Sequence, residues 1–152
     1  MKKIVAGILL TFTLASATSC KCMKKDGATP KEKMENTVAE LKNTTWKLVR
    51  FDLENRPFKA TDDVAEIQLT FTDEYVSTSD GCNGRSGEFS QEGIKVELGK
   101  FMTTMRYCDD EYMEKNGYKI PLEATESFKI EKDQLQLINA SGQVIATYIK
   151  VK

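Results

Sequence analysis

At 152 residues the chain has the size of one domain with a genuine core, and no second domain fits comfortably. Its 22 Lys and Arg against 23 Asp and Glu leave a net charge of -1, which argues against a basic nucleic-acid surface. Histidine is absent, so Ser-His-Asp and Cys-His nucleophile pairs, histidine-ligated metals and the usual proton shuttle near neutral pH are excluded.

Lys2 and Lys3 precede the apolar stretch Ile4 to Leu14, which has the length of an export-signal core and falls short of the roughly 20 residues that cross a bilayer. Residues 1–19 are therefore expected to be a signal peptide. Small residues from Ala15 to Ser19 lead directly into Cys20, and the run resembles the lipobox of bacterial lipoproteins, with Ala17 standing where Leu is commonest. That resemblance implies cleavage before Cys20, a diacylglycerol thioether on its sulfur and acylation of the new amine. The protein is then held to the membrane by its lipid, in the cell envelope, periplasmic or at the outer membrane. The competing reading is an ordinary signal peptide ending in Ala-Thr-Ser, which leaves Cys20 a free thiol. Cys22 is assigned no role.

Residues 20–42 read as a polar, lysine-rich tether. Within it, Thr29, Pro30 and Glu32 have the form of a capped helix start, and Met34, Val38 and Leu41 follow at helical spacing.

From residue 43 to 152 the period changes to that of strands. Trp46 and Leu48, then Val49, Phe51 and Leu53, suit a strand covered on both faces, closed by Arg56 and Pro57. Ile67, Leu69 and Phe71 alternate with polar residues, and Thr72 to Glu74 turn the chain toward Tyr75 and Val76, which predicts a hairpin. A second hairpin ends its first strand at Phe89, turns at Gln91 to Gly93 and returns through Ile94, Val96 and Leu98. Asp109 to Ser127 interrupts the strands: a helix of two or three turns is expected there, in one piece or two, broken or ended by Asn116-Gly117 and Pro121, with Met113, Tyr118 and Leu122 on its apolar face and covering an open end of the barrel. A last hairpin runs from Leu135 and Leu137 through Ser141-Gly142 to Val144, Ala146 and Tyr148. About eight short strands predict a mainly β fold: a small antiparallel, partly open barrel with one short helix.

The most distinctive residues lie between Asp80 and Cys108. There Gly81-Cys82-Asn83-Gly84-Arg85-Ser86-Gly87 is followed, after a hairpin, by Thr103-Thr104-Met105-Arg106-Tyr107-Cys108. With the early Trp46 and the acidic helix start behind Cys108, this order resembles the META domain family, which includes the HslJ-like heat-shock proteins. The matching motif positions are Gly81, Cys82, Asn83, Gly87, Thr104, Met105 and Cys108. The resemblance implies a lipocalin-like barrel, attachment to the bacterial envelope and a loose association with stress tolerance, motility or secretion. It implies no established reaction.

The glycines read as a tight turn between two strands; a phosphate loop requires a Lys-Ser/Thr ending and a following helix, which are missing here. Cys82 and Cys108 flank one hairpin, and in an oxidising periplasm they form a disulfide whose loop of about 27 residues contributes about 3 to 4 kcal/mol in the chain-entropy account. Two separately buried thiols, or a reactive thiol near Arg85 or Arg106, are the alternatives. The acidic run Asp109, Asp110, Glu111 and Glu114 fits a solvated helix start and lacks the alternating ligands of a calcium loop. No catalytic residue, metal or cofactor is assigned.

Three functions follow. The first is a non-enzymatic binding or assembly module that holds an envelope protein or ligand, with no nucleic-acid partner. The second is inhibition of a secreted hydrolase such as lysozyme or a protease, probed by Asn83 to Ser86. The third is a thiol-based redox sensor.

Overall fold

The computed structural model describes residues 39–61 and 65–152. The expected signal segment, Cys20, Cys22 and the capped helix start at Thr29 lie outside them.

The first strand, β1 (Thr44–Phe51), turns Trp46, Leu48 and Phe51 inward. Leu48 and Phe51 are three apart, which strict alternation forbids on one face. A register slip between Leu48 and Arg50 against the last strand supplies the missing residue. Arg56 and Pro57, expected only to end this strand, form β2 (Arg56–Pro57), which folds back on it.

The first two of the three predicted hairpins are β3 (Gln68–Phe71) with β4 (Tyr75–Ser79), and β5 (Gly84–Glu92) with β6 (Lys95–Leu98). After a break at Gly99 the chain rejoins β5 as β7 (Met102–Thr103). The stretch from Asp109 does split in two, into α1 (Asp110–Asn116) and a single 3₁₀ turn at Leu122–Ala124. The helix has the two turns expected, and β8 (Thr125–Glu131) begins inside the end of the stretch that interrupted the strand pattern. β9 (Gln134–Asn139) and β10 (Val144–Lys150) complete the chain.

Hydrogen-bonded neighbours run β1, β3, β4, β5, β6, β8, β9, β10, and β10 returns antiparallel to β1, so eight strands close into a barrel with β2 and β7 as additions. Closure removes the open edges that invite aggregation. The thinnest seam is between β6 and β8, which share one registered pair, Lys95 with Ser127.

Inward side chains fill the barrel with Trp46, Leu69, Phe71, Leu135, Leu137 and Tyr148, and the rings of Phe71 and Phe89 meet edge-on at 5.0 Å. Leu41 is also fully buried. The chain before β1 is fastened there, since Gln91 Oε1 accepts from the Leu41 N–H at 3.0 Å while Gln91 Nε2 donates to the Ala39 carbonyl at 3.0 Å. β10 is covered on both faces over Ile145–Tyr148, where Asp52 leans across it and accepts from the Thr147 hydroxyl at 2.6 Å.

Deep in the core, the Tyr148 hydroxyl is buried with no hydrogen-bond partner among the described residues. Burial pushes its ionisation far above the ordinary phenol value, and the weaker pull of the Arg85 charge does not reverse this. A raised folded value means the phenol's contribution to stability is intact below the unfolded value of about 10 and is lost as pH climbs toward the folded one, at about 1.4 kcal/mol per pH unit. Tyr148→Phe is expected to gain about 1 kcal/mol at neutral pH, since an orphaned buried hydroxyl is removed, and to flatten that alkaline decline. Urea melts at neutral pH and at about pH 11 check both effects; a destabilised Phe variant would mean that the hydroxyl has a partner.

Candidate functional site

The motif residues converge at one end of β5. Asp80 builds the turn: its Oδ1 accepts from the Cys82 N–H at 2.9 Å and from the Asn83 N–H at 2.6 Å, and its own N–H donates to the Asn83 carbonyl at 3.0 Å. Its carbonyl accepts from the Tyr118 N–H at 2.8 Å, which ties the turn to the segment after α1. Gly81 sits at φ 94°, and a Cβ there would lie 2.1 Å from the Asn116 carbonyl oxygen, so only glycine fits both the backbone and the space. Tyr112 of α1 donates its hydroxyl to the Gly81 carbonyl at 3.1 Å.

Asn83 then acts as a piece of backbone. Its Oδ1 accepts from the Arg106 N–H at 2.6 Å and the Thr104 hydroxyl at 2.9 Å, while its Nδ2 donates to the Arg106 carbonyl at 3.2 Å. Thr104 holds the neighbouring position by exchanging bonds with Gly84: its N–H donates to the Gly84 carbonyl at 3.0 Å, and its Oγ1 accepts from the Gly84 N–H at 3.1 Å. Cys82 and Cys108 are joined by a disulfide with their Cα atoms 6.3 Å apart. Of the three thiol states open from sequence, the bonded one is present. Asn83→Ala removes three side-chain bonds and is expected to cost about 1 to 3 kcal/mol. Hydrogen exchange at the Arg106 amide checks it, and unchanged protection there would contradict the role given to Asn83.

Arg85 leaves β5 on the other side of this knot. It lies over the Phe101 ring at 4.9 Å, donates from Nη1 to the Ile120 carbonyl at 3.1 Å and pairs through Nη2 with Glu123 at 2.5 Å. It therefore staples the 3₁₀ turn to the sheet. Asp109 is equally structural: it caps α1 by accepting from the Tyr112 N–H at 2.7 Å.

The backbone from Met102 to Tyr107 is thus held from several sides, yet its apolar side chains point away. Met102 is 75 % exposed, Met105 98 % and Tyr107 88 %. The loop expected to project, Asn83 to Ser86, is mostly half-buried, with Arg85 and Ser86 inside β5.

Gly81, Cys82, Asn83, Thr104 and Cys108 are therefore brought together. Gly87 serves a separate purpose, since a Cβ there would meet the Lys100 carbonyl at 3.2 Å where β6 breaks toward β7. Met105, a motif residue, is nearly all solvent-facing. Sequence reasoning passed over Asp80, Tyr112 and Tyr107; an Asp before a Gly-x-Asn turn is a signal for the first, whereas the other two carry none. Among the described residues, no group of three or more acidic or Cys side chains is arranged to hold a metal ion.

Residues 39–151 match the META domain family model. The chain belongs to the META domain family. Solved structures show the same fold: a protein from Burkholderia xenovorans, determined by NMR, is 22 % identical with a TM-score of 0.52, over 74 % of this chain and 84 % of that one. A second protein determined by NMR is 18 % identical with a TM-score of 0.50, over 72 % of this chain and 90 % of its own. No curated protein matches significantly. Within this META domain the Gly-Cys-Asn and Thr-x-Met-x-x-Cys segments are two halves of one clasp, and the residues it displays are Met102, Met105 and Tyr107.

Proposed function

We propose that this META domain protein is an envelope-anchored binding or assembly module that engages a protein partner through the loop from Met102 to Tyr107 and makes or breaks no covalent bond. In this reading Cys20 carries the lipid, and the module serves stress tolerance, motility or secretion, as the family resemblance suggests. One observation carries the proposal: three large apolar side chains stand 75 %, 98 % and 88 % exposed on backbone fixed by a disulfide and the Asn83 and Thr104 bonds. A surface ordered before binding loses little conformational freedom on contact, so more of the contact energy appears as affinity. Tyr, Arg and Met are also the residue types enriched at protein interfaces.

The test is Met105→Ala with Tyr107→Ala in the lipidated protein. Both side chains are exposed, so stability should move by less than about 0.5 kcal/mol. Crosslinked complexes from the native envelope should disappear, and complexes that survive the double change would reject this surface. Cys20→Ala should separately abolish labelling by fatty acid and release the protein from the membrane fraction; retained label would reject the anchor.

The same loop favours a second reading, in which it enters the cleft of a secreted hydrolase as an inhibitor. Assays against lysozyme and common proteases decide this, and indifference of all of them removes it.

A further inference from the structure

We infer that Met102 and Met105 form a reversible oxidation site, whose conversion to sulfoxides by peroxides removes the apolar contact surface of the clasp without loosening its backbone. The chemistry at the sulfurs stands on their accessibility alone; its effect on a partner rests on the contact role proposed for the loop.

Oxidation of a thioether follows exposure of its sulfur, and the three methionines among the described residues differ widely in it. Met105 and Met102 stand largely bare, whereas Met113 is partly buried, its Cε only 2.9 Å from where a Cβ on Gly117 would lie. The clasp cysteines do not compete for oxidant. Cys82 and Cys108 are already joined, so the described residues hold no thiol, and the loop methionines present the most accessible reduced sulfur there. A sulfur lone pair attacks one peroxide oxygen, the S–O bond forms as the O–O bond breaks, and the departing hydroxide takes the proton from the new S–OH group. Sulfoxide and water result, the thioether giving up the two electrons that the peroxide gains. Sulfoxide reductases, one per epimer, reverse the step. A dithiol supplies the two electrons, becoming a disulfide as the oxygen leaves in water.

The consequence depends on what these methionines do not hold. The bonds that order the loop run through Asn83, Thr104, Gly84 and the Arg106 main chain, with the disulfide behind them, and no methionine side chain takes part. Oxidation of a core methionine disrupts packing, but here it changes only what the clasp displays. Each sulfoxide sets a polar oxygen on a side chain that offered an apolar, adaptable contact. Two of the three large apolar groups on the loop are altered together, and Tyr107 alone remains.

The experiment treats the full lipidated protein with dilute hydrogen peroxide and follows each methionine by peptide mass spectrometry. Met102 and Met105 should gain oxygen about ten-fold faster than Met113, while the melting temperature and hydrogen exchange at the Arg106 amide stay unchanged. In native envelopes the same treatment should lower the yield of crosslinked complexes several-fold, and the two reductases should restore it. Met102→Leu with Met105→Leu, apolar and inert to peroxide, should keep its complexes throughout, which separates oxidation of this loop from oxidation of the partner. Met113 reacting as fast as Met105 would overturn the inference. So would complete oxidation of the loop that leaves complexes intact in a protein whose complexes are lost on Met105→Ala with Tyr107→Ala. Complexes indifferent both to oxidation and to that double change would reject the loop as a contact surface, and the switch with it.

Discussion

Replacing Cys82 and Cys108 together with serine is expected to cost about 3.5 kcal/mol and to lower the melting temperature by about 15 °C. The bond spans 26 residues of sequence, and opening it returns that loop's freedom to the unfolded chain. The folded side adds to the effect. Beyond the Arg85–Thr103 pair of β5 and β7, the segment that leads to α1 is carried by the Thr104–Gly84 exchange, the Asn83 bonds and the disulfide. The doubly substituted protein should keep its barrel, because every strand pair apart from β5–β7 lies outside the clasp. Thermal melts with and without reductant measure the loss directly. A fall of less than about 3 °C would show that the clasp holds without sulfur, and two alkylatable thiols at these positions in the mature protein would show that the bond is not made in the envelope.

Gly81→Ala should cost about 3 kcal/mol or more, for two separable reasons. Its φ of 94° is one that side chains rarely adopt, and a methyl group would lie 2.1 Å from the Asn116 carbonyl oxygen. Gly93→Ala separates them. That residue also has a positive φ, 61°, but a Cβ there meets nothing within 4 Å, so only the conformational cost of about 1 kcal/mol remains. The gap between the two variants in a denaturant melt measures how closely the turn is pressed against α1. Equal losses would mean that the approach is not tight. The displaced turn should also loosen Arg106, because Asp80, Asn83 and the disulfide form one connected unit.

How much of this was legible in the sequence follows from what kind of information each feature needs. Alternation identified β3, β4, β6 and β9, because the period of two survives whenever a strand has one wet face. It failed for β8: only Phe128 is fully buried in its middle, Ile130 is partly covered, and the strand begins immediately after a helical turn with no loop to announce it. β10 was legible through Val144, Ala146 and Tyr148, but its four consecutive buried residues, which show cover on both faces, were not. The glycine knot was read as a turn, yet Gly84 and Gly87 belong to β5; they are small so that Thr104 and the break at Lys100 can approach the strand. The cysteine pairing was within reach of sequence because compartment and spacing bear on it. The exposure of Met105 and Tyr107 was not, since a methionine looks the same on paper inside or outside a core. Tyr118 and Tyr107 make the contrast: one is 4 % exposed, the other 88 %, eleven positions apart.

The account rests on the clasp presenting Met105 and its neighbours as a contact surface, and a photo-reactive amino acid at Met105 in the anchored protein tests that most directly. A single discrete adduct is predicted after irradiation of intact cells, lost when Tyr107 becomes Ala and absent when the same group stands at Ser141 on the β9–β10 turn. Adducts of equal yield and diversity from both positions would contradict it, because the loop would then be no more than solvent-exposed backbone with ordinary side chains.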